Sequence, residues 1–253
     1  MRRQARLALA SLLIASLATV ACGPTEEEKA AAEKAKKTQD AYAAMEAAKG
    51  PLDAKRAELQ AARAALDAAG NNPAADLFAK VEAIEKETYP LADAFSAKVT
   101  DFINTSEITE GAPLTPEQRK AFDYLADEAI VVGEEYIEKG GDYRKAIEIY
   151  SSQLGADKDN PKLLAAKAEA EKLRYMTAER FAAAKKGMTQ YEVKKLLGAV
   201  KGLNSREFKE QGRVGWYYPK EDGGAAGVFF KEKGGVWIVE VVQFDAVKAE
   251  GKS

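Results

Sequence analysis

The chain has 253 residues, with 38 Lys and Arg against 40 Asp and Glu, a single Cys and no His. This length permits one or two domains, and a net charge of −2 lacks the basic footprint of a nucleic-acid-binding protein. The absence of His excludes Ser-His-Asp and Cys-His nucleophile systems and removes the commonest ligand for zinc, copper and non-haem iron. No GxxxxGK[ST] or GxGxxG phosphate loop is present. Catalysis would have to rest on carboxylates, Lys or Tyr, and among so many acids no pair stands out. The expectation is a protein that is not an enzyme, with no catalytic residue, cofactor or metal assigned.

Arg2, Arg3 and Arg6 precede an uncharged run from Leu7 to Val20 rich in Leu, Ile and Ala. This is the layout of a secretory signal, residues 1–21. The run is short of the roughly 20 residues that span a hydrocarbon core, so a permanent transmembrane helix is the weaker reading. Thr19-Val20-Ala21-Cys22 resembles a lipobox, the site at which bacteria attach diacylglycerol to a cysteine and cleave before it. Thr19 stands where that motif usually has Leu. The resemblance implies that Cys22 is lipidated and that the partner at this end is a lipid bilayer. The alternative is an ordinary signal peptide cut after Ala21. Cys22 has no second Cys with which to form an internal disulfide, and a lone exposed thiol is an odd product for an exported protein. Each buried methylene contributes about 0.8 kcal/mol, and two or more acyl chains hold stably where one does not. Gly23 rather than Asp follows Cys22; in Gram-negative bacteria that pattern goes with the outer membrane, facing the periplasm. Removing the signal, which carries three Arg and no acid, takes the net charge from −2 to −5.

Residues 22–25 form a short tether. Residues 26–104 form an Ala-rich helical region in which strong helix formers dominate. Met45, Leu52, Leu59 and Leu66 recur every seven residues, while Ala48, Lys55 and Ala62 make a poor second seam position. Two readings stand side by side: a spacer or coiled-coil arm, and an amphipathic helix pair packed on its neighbours. Gly50-Pro51 predicts a helix break, and Gly70-Asn71-Asn72-Pro73 predicts a turn. Leu77, Val81, Ile84, Leu91, Phe95, Val99 and Phe102 then follow at helical steps, with Thr88 filling a gap and Pro90 expected to kink or split the helix. After a loop from Asn104, residues 116–184 form a second helical region. Thr115 and Pro116 open a helix to about Lys139, and Asn160-Pro161 opens another to about Ala184. Gly141, Tyr143, Ala146 and Tyr150, with Gly133 and Tyr136 before them, resemble the central part of a tetratricopeptide repeat. The turn and the position of Pro161 depart from that family. Solenoid repeats usually need at least three copies, so a lone unit is expected to be a structural hairpin rather than a peptide groove.

The pattern changes at Gly187. Thr189 with Glu192 is a capping box, Val193, Leu196 and Leu197 form the apolar face of a short helix, and Gly198 ends it. Three strand-like segments follow, at 214–218, 227–231 and 236–244, with Gly223-Gly224 and Gly234-Gly235 between them as hairpin turns. Gly187, Met188, Thr189, Val193, Leu197, Gly198, Trp216, Tyr217, Tyr218, Phe244 and Asp245 resemble the signature of the small outer-membrane lipoproteins that include BamE, also called SmpA or OmlA. The usual Pro after Leu-Gly and the final strand are missing, and members of that family are usually much shorter than this chain. The resemblance implies an α+β domain over residues 185–246 used for protein contacts at the envelope, followed by a tail at 247–253.

The expected fold is therefore α+β: a mostly helical N-terminal region followed by a small domain with a three-stranded antiparallel sheet. The expected function is a membrane-anchored, non-catalytic scaffold or interaction module of the cell envelope, in outer-membrane assembly or integrity, with one or more envelope proteins as partners. Trp216, Tyr217 and Tyr218 are the candidate partner contacts, the alternative being that they form the core of the sheet. The competing function is an envelope protein that binds a peptide, glycan or lipid in an apolar cavity.

Overall fold

The computed structural model describes residues 25–70, 74–109 and 112–249. The signal and Cys22 lie outside the described residues. Within them the class is α+β, seven helices followed by an antiparallel sheet, and no described helix is long and apolar enough to cross a membrane.

Helix α1 (Glu26–Ala68) starts at a capping box in which Thr25 and Glu28 satisfy each other's backbone amides. It runs antiparallel to α2 (Ala75–Thr105). The Thr38 hydroxyl donates to the Thr105 carbonyl at 2.9 Å, and at the other end Arg63 donates to Glu85 at 2.7 Å. Met45 and Leu52 of the heptad stripe are fully buried with Phe95, Val99 and Phe102 of α2 and Ala121 of the next helix. Leu59 and Leu66 are half-buried. The stripe thus packs on neighbours in the same chain. Residues 26–37 are all exposed; Lys34 pairs with Glu107 just past α2, so residues 26–33 form an overhang of about 12 Å at the helical rise per residue.

The expected break at Pro51 is absent, and Pro90 does not split its helix. Pro51 and Pro90 both lie inside continuous helices. Pro removes one backbone bond and crowds the carbonyl four residues back. At Pro51 that carbonyl belongs to Ala47, which is exposed and open to water, while the packed face is held by Met45 and Leu52. Tertiary packing of one face outweighs a local breaker on the other.

Helix α3 (Pro116–Gly140) begins at Thr115, whose side chain caps Gln118, and ends at Gly141 in the left-handed region. Its start and stop agree with the sequence reading. The α1–α2 pair is joined to it by Arg56, which donates through both terminal nitrogens to Glu128 at 2.6 and 2.7 Å, and by Lys120 and Tyr124 on Glu46. Helix α4 (Tyr143–Leu154) folds back against α3. Gly133 is required there, because a Cβ would lie 2.4 Å from the Tyr150 ring. Ala146 and Tyr150 are buried in the same cluster with Leu163 of α5 (Pro161–Leu173). The sequence carried α5 on to about Ala184; it stops at Leu173. The chain leaves the helix because the Met176 amide donates to the Pro219 carbonyl of the sheet at 2.8 Å, and Arg180 caps the freed carbonyls of Leu173 and Tyr175. A single turn, α6 (Ala178–Phe181), follows.

The capping box at Thr189 opens α7 (Gln190–Leu197) as expected. Val193 and Leu197 are buried, but Leu196 is 48% exposed. It falls off the apolar face because the two buried positions, four apart, already define that face on so short a helix. The sheet has four strands rather than three: β1 (Ser205–Phe208), β2 (Arg213–Pro219), β3 (Ala225–Lys233) and β4 (Val236–Val247), in sequential antiparallel order. The additional strand, β1, is a polar edge strand with one large apolar residue, Phe208, so it carries no hydrophobic alternation to read. Gly234 and Gly235 both have positive φ in the β3–β4 turn, as a tight two-residue hairpin requires. The inner face packs Tyr218, Val228, Phe230 and Val239 on Met176, Phe181, Val193 and Leu197.

The helical region and the sheet module are docked together. Gly141 meets the Ala199 carbonyl so closely that a Cβ would lie 2.2 Å from it. Asp142 pairs with Lys201 at 2.6 Å. On the far side of α7, the Tyr191 hydroxyl donates to the Asp67 carbonyl at 2.8 Å and Lys195 pairs with the Asp67 carboxylate, so α7 holds the last turn of α1.

Candidate functional site

Strand alternation separates the three aromatic residues that the sequence singles out. Trp216 points inward and meets the Phe230 ring edge-on at a centroid distance of 4.8 Å. Tyr218 also points inward; it is 5% exposed, its hydroxyl donates to the Gly198 carbonyl at 3.3 Å, and burial pushes its pKa well above the usual phenol range. Tyr217 alone points to the opposite side. The three therefore do not form one surface, and two of them belong to the core of the module.

The outer face has a different composition. Phe229 of β3 lies over two glycines: a Cβ on Gly215 would come within 3.2 Å of its ring, and one on Gly227 within 3.0 Å. Phe208 and Tyr217 flank it, with ring centroids 6.2 and 5.8 Å away. The glycines provide a floor on which one aromatic ring lies flush, and the two neighbours close over its edges. Val241 extends the apolar strip and is 41% exposed. The helix residues that pack on the sheet, on α6 and α7, join the inner cluster.

Charge surrounds this strip. Arg206 places its guanidinium over the Phe208 ring, 5.3 Å from the centroid. Arg213 pairs with Glu240 at 2.5 Å. The pKa of Glu240 is lowered first by that Arg213 hydrogen bond, then by the charges of Arg213, Lys231 and Lys186. Glu240 owes its position to a β-bulge, where the register shifts between Phe229 and Phe230. By alternation Lys233 shares this face, whereas Glu207 and Glu232 turn to the other side, and Asp245 is held by Lys220 at 2.6 Å.

A cleft at the junction of α3–α4 with the sheet is lined by Tyr143, Arg180, Leu197, Lys201, Tyr217 and Tyr218. Its volume is about 30 Å³, room for two or three waters at most, which is too small for a peptide, glycan or lipid. A second depression, beside Lys220, Asp222 and Phe244, is open to solvent. Among the described residues no group of three or more acidic or Cys side chains is arranged to hold a metal ion.

The chain matches no protein-family model, no curated protein and no solved structure. The residues that the sequence reading missed are Phe208, Phe229, Arg206, Arg213 and Lys231. The signal that could have found them is Gly215 and Gly227, each spaced two residues from an aromatic on the same face of its strand.

Proposed function

We propose that this chain is a lipid-anchored protein of the cell envelope that acts without catalysis, as a scaffold or protein-interaction module. The observation that carries the reading is the helical arm that starts directly after the lipobox-like cysteine. Thr25 caps α1 three residues past Cys22, residues 26–37 are all exposed, and the first tie from this arm to the rest of the described residues is the Lys34–Glu107 ion pair. Residues 26–33 of such an arm hold the body about 12 Å or more from the acylated end. The resemblance of residues 185–246 to the BamE, SmpA and OmlA lipoproteins adds a service in outer-membrane assembly or integrity. The α3–α4 hairpin, with its tetratricopeptide-like Gly133, Ala146 and Tyr150, acts in this reading as a brace between the arm and the sheet module. Its small-to-large packing supports that role.

The test is site-specific photocrosslinking in the native envelope. A photoreactive residue at Tyr217 or Val241 samples the outer sheet face, and one at Leu164, 47% exposed on α5, samples the helical body. A discrete protein adduct from at least one of these positions, weakened by Cys22→Ser, is expected. Absence of any protein adduct at all three, with the lipidated chain present at normal abundance, contradicts the proposal.

A further inference from the structure

The outer sheet face is an aromatic platform edged by cations on a chain that is acidic as a whole. Arg206, Lys231 and Lys233 are exposed, and among the described residues none of the three forms an ion pair within 4 Å, although the Lys231 charge acts on Glu240. Lys186, on the segment before α7, adds its field at Glu240. The carboxylate on this face is Glu240, bound to Arg213 at 2.5 Å. The Phe229 ring lies on its glycine floor, with Tyr217 set edge-on to it at 89° and Phe208 tilted at 53°. The rings form a shallow ridge between cations, open along its length to solvent. It suits an extended polypeptide lying on the rings. One edge of this platform is β1, four residues long, which pairs with β2 on one side. Its second edge meets no further strand among the described residues, so it offers backbone groups to such a segment.

We infer that the outer face of the sheet is the docking surface for an acidic, extended segment of a partner protein, whose carboxylates meet Arg206, Lys231 and Lys233 while its apolar side chains lie on Phe208, Tyr217 and Phe229. The inference rests on the interaction reading above and names the chemistry of the partner. Glu240 on Arg213 is an internal instance of the same recognition: a carboxylate brought onto this face by a bulge and held there by the surrounding cations. Charges of this kind set specificity and encounter rate and respond to salt.

The experiment uses the mature full-length chain carrying Cys22→Ser, so that it is independent of acylation. The probe is a fluorescein-labelled decapeptide of repeating Glu-Ser-Val-Ser, which sets Glu and Val on one face of an extended chain, followed by polarisation, with the Lys-Ser-Val-Ser decapeptide as control. The Glu peptide binds and the Lys peptide does not. The double variant Arg206→Glu, Lys231→Glu weakens binding by roughly tenfold or more, the scale of like charges placed in contact, and added salt weakens the parent in the same direction. Lys194→Glu, exposed on α7, leaves binding unchanged and controls for bulk charge. Thermal unfolding of both variants checks that the module is intact. Equal binding by the double variant, or no binding of the Glu peptide at millimolar protein, overturns the inference. So does binding to phosphatidylglycerol vesicles by a chain that ignores the peptide, which would assign the face to a lipid surface. A protein adduct from Leu164 with none from Tyr217 or Val241 would leave the scaffold proposal standing and remove this one.

Discussion

Gly141→Ala is expected to undock the helical region from the sheet module. Two costs combine at this position. Gly141 has φ of 61°, where an L side chain costs roughly 1–2 kcal/mol. Its Cβ would also lie 2.2 Å from the Ala199 oxygen and 2.9 Å from the Ala199 carbon, so main chain must retreat by about 1 Å to reach normal contact. That retreat loosens the Asp142–Lys201 pair. A total of about 2–4 kcal/mol follows, within the range of backbone clashes at special conformations. For a chain of this size it corresponds to a fall in Tm of roughly 5–15 °C. Gly140→Ala is the control, since its Cβ would meet nothing within 4 Å; it should change stability by no more than about 0.5 kcal/mol. Both Trp residues, Trp216 and Trp237, lie in the sheet module. Trp fluorescence therefore reports the module and far-ultraviolet circular dichroism the helices. Gly141→Ala should lower both transitions and separate them. Equal stability of the two variants would refute the close approach at Ala199 and the docking built on it.

Arg56→Ala leaves Glu128, 8% exposed, without its bidentate partner. A loss of about 2–4 kcal/mol is expected by chemical denaturation, with the double variant Arg56→Met, Glu128→Leu recovering most of it. Burial pushes the Tyr150 phenol up to about 12 from an ordinary value of 10.0. Stability from this group is complete below pH 10 and is lost as pH rises through 12. Tyr150→Phe should therefore flatten part of the alkaline fall in stability between pH 10 and 12, at little cost near pH 7, because the hydroxyl makes only a 3.5 Å contact with the Ile130 carbonyl; an unchanged alkaline limb would contradict it. Pro51→Ala restores an amide inside a continuous helix, so stability should increase by about 1–3 kcal/mol, with a rise in helical signal and Tm. If the helix broke at this point instead, the substitution would be neutral or harmful.

The parts of the fold that were legible in the sequence are those decided locally. Thr115 was readable as a cap from the Pro116 that follows it and Thr189 from Glu192 three residues on, and the Gly234-Gly235 turn needs positive φ that glycine supplies. What was not legible was decided by distant atoms. Pro51 and Pro90 sit in continuous helices because the opposite face is packed. Helix α5 ends at Leu173 because Met176 finds the Pro219 carbonyl of a strand more than forty residues later. Strand β1 was invisible because three of its four residues are polar and it pairs on one side. The candidate site was half legible. The Trp-Tyr-Tyr run drew attention to β2, but alternation assigns Trp216 and Tyr218 to the core. The outer face is assembled from single residues on β1, β2 and β3, which only sheet register brings together.

The most direct test of the central claim is attachment of the chain to the envelope through Cys22. Cells expressing the tagged full-length protein are labelled with radioactive palmitate, and membranes are sedimented after a high-salt wash. The account predicts label on the mature chain and recovery in the membrane fraction, both abolished by Cys22→Ser. Unlabelled protein that sediments equally with or without Cys22, or that remains soluble in both forms, would contradict it.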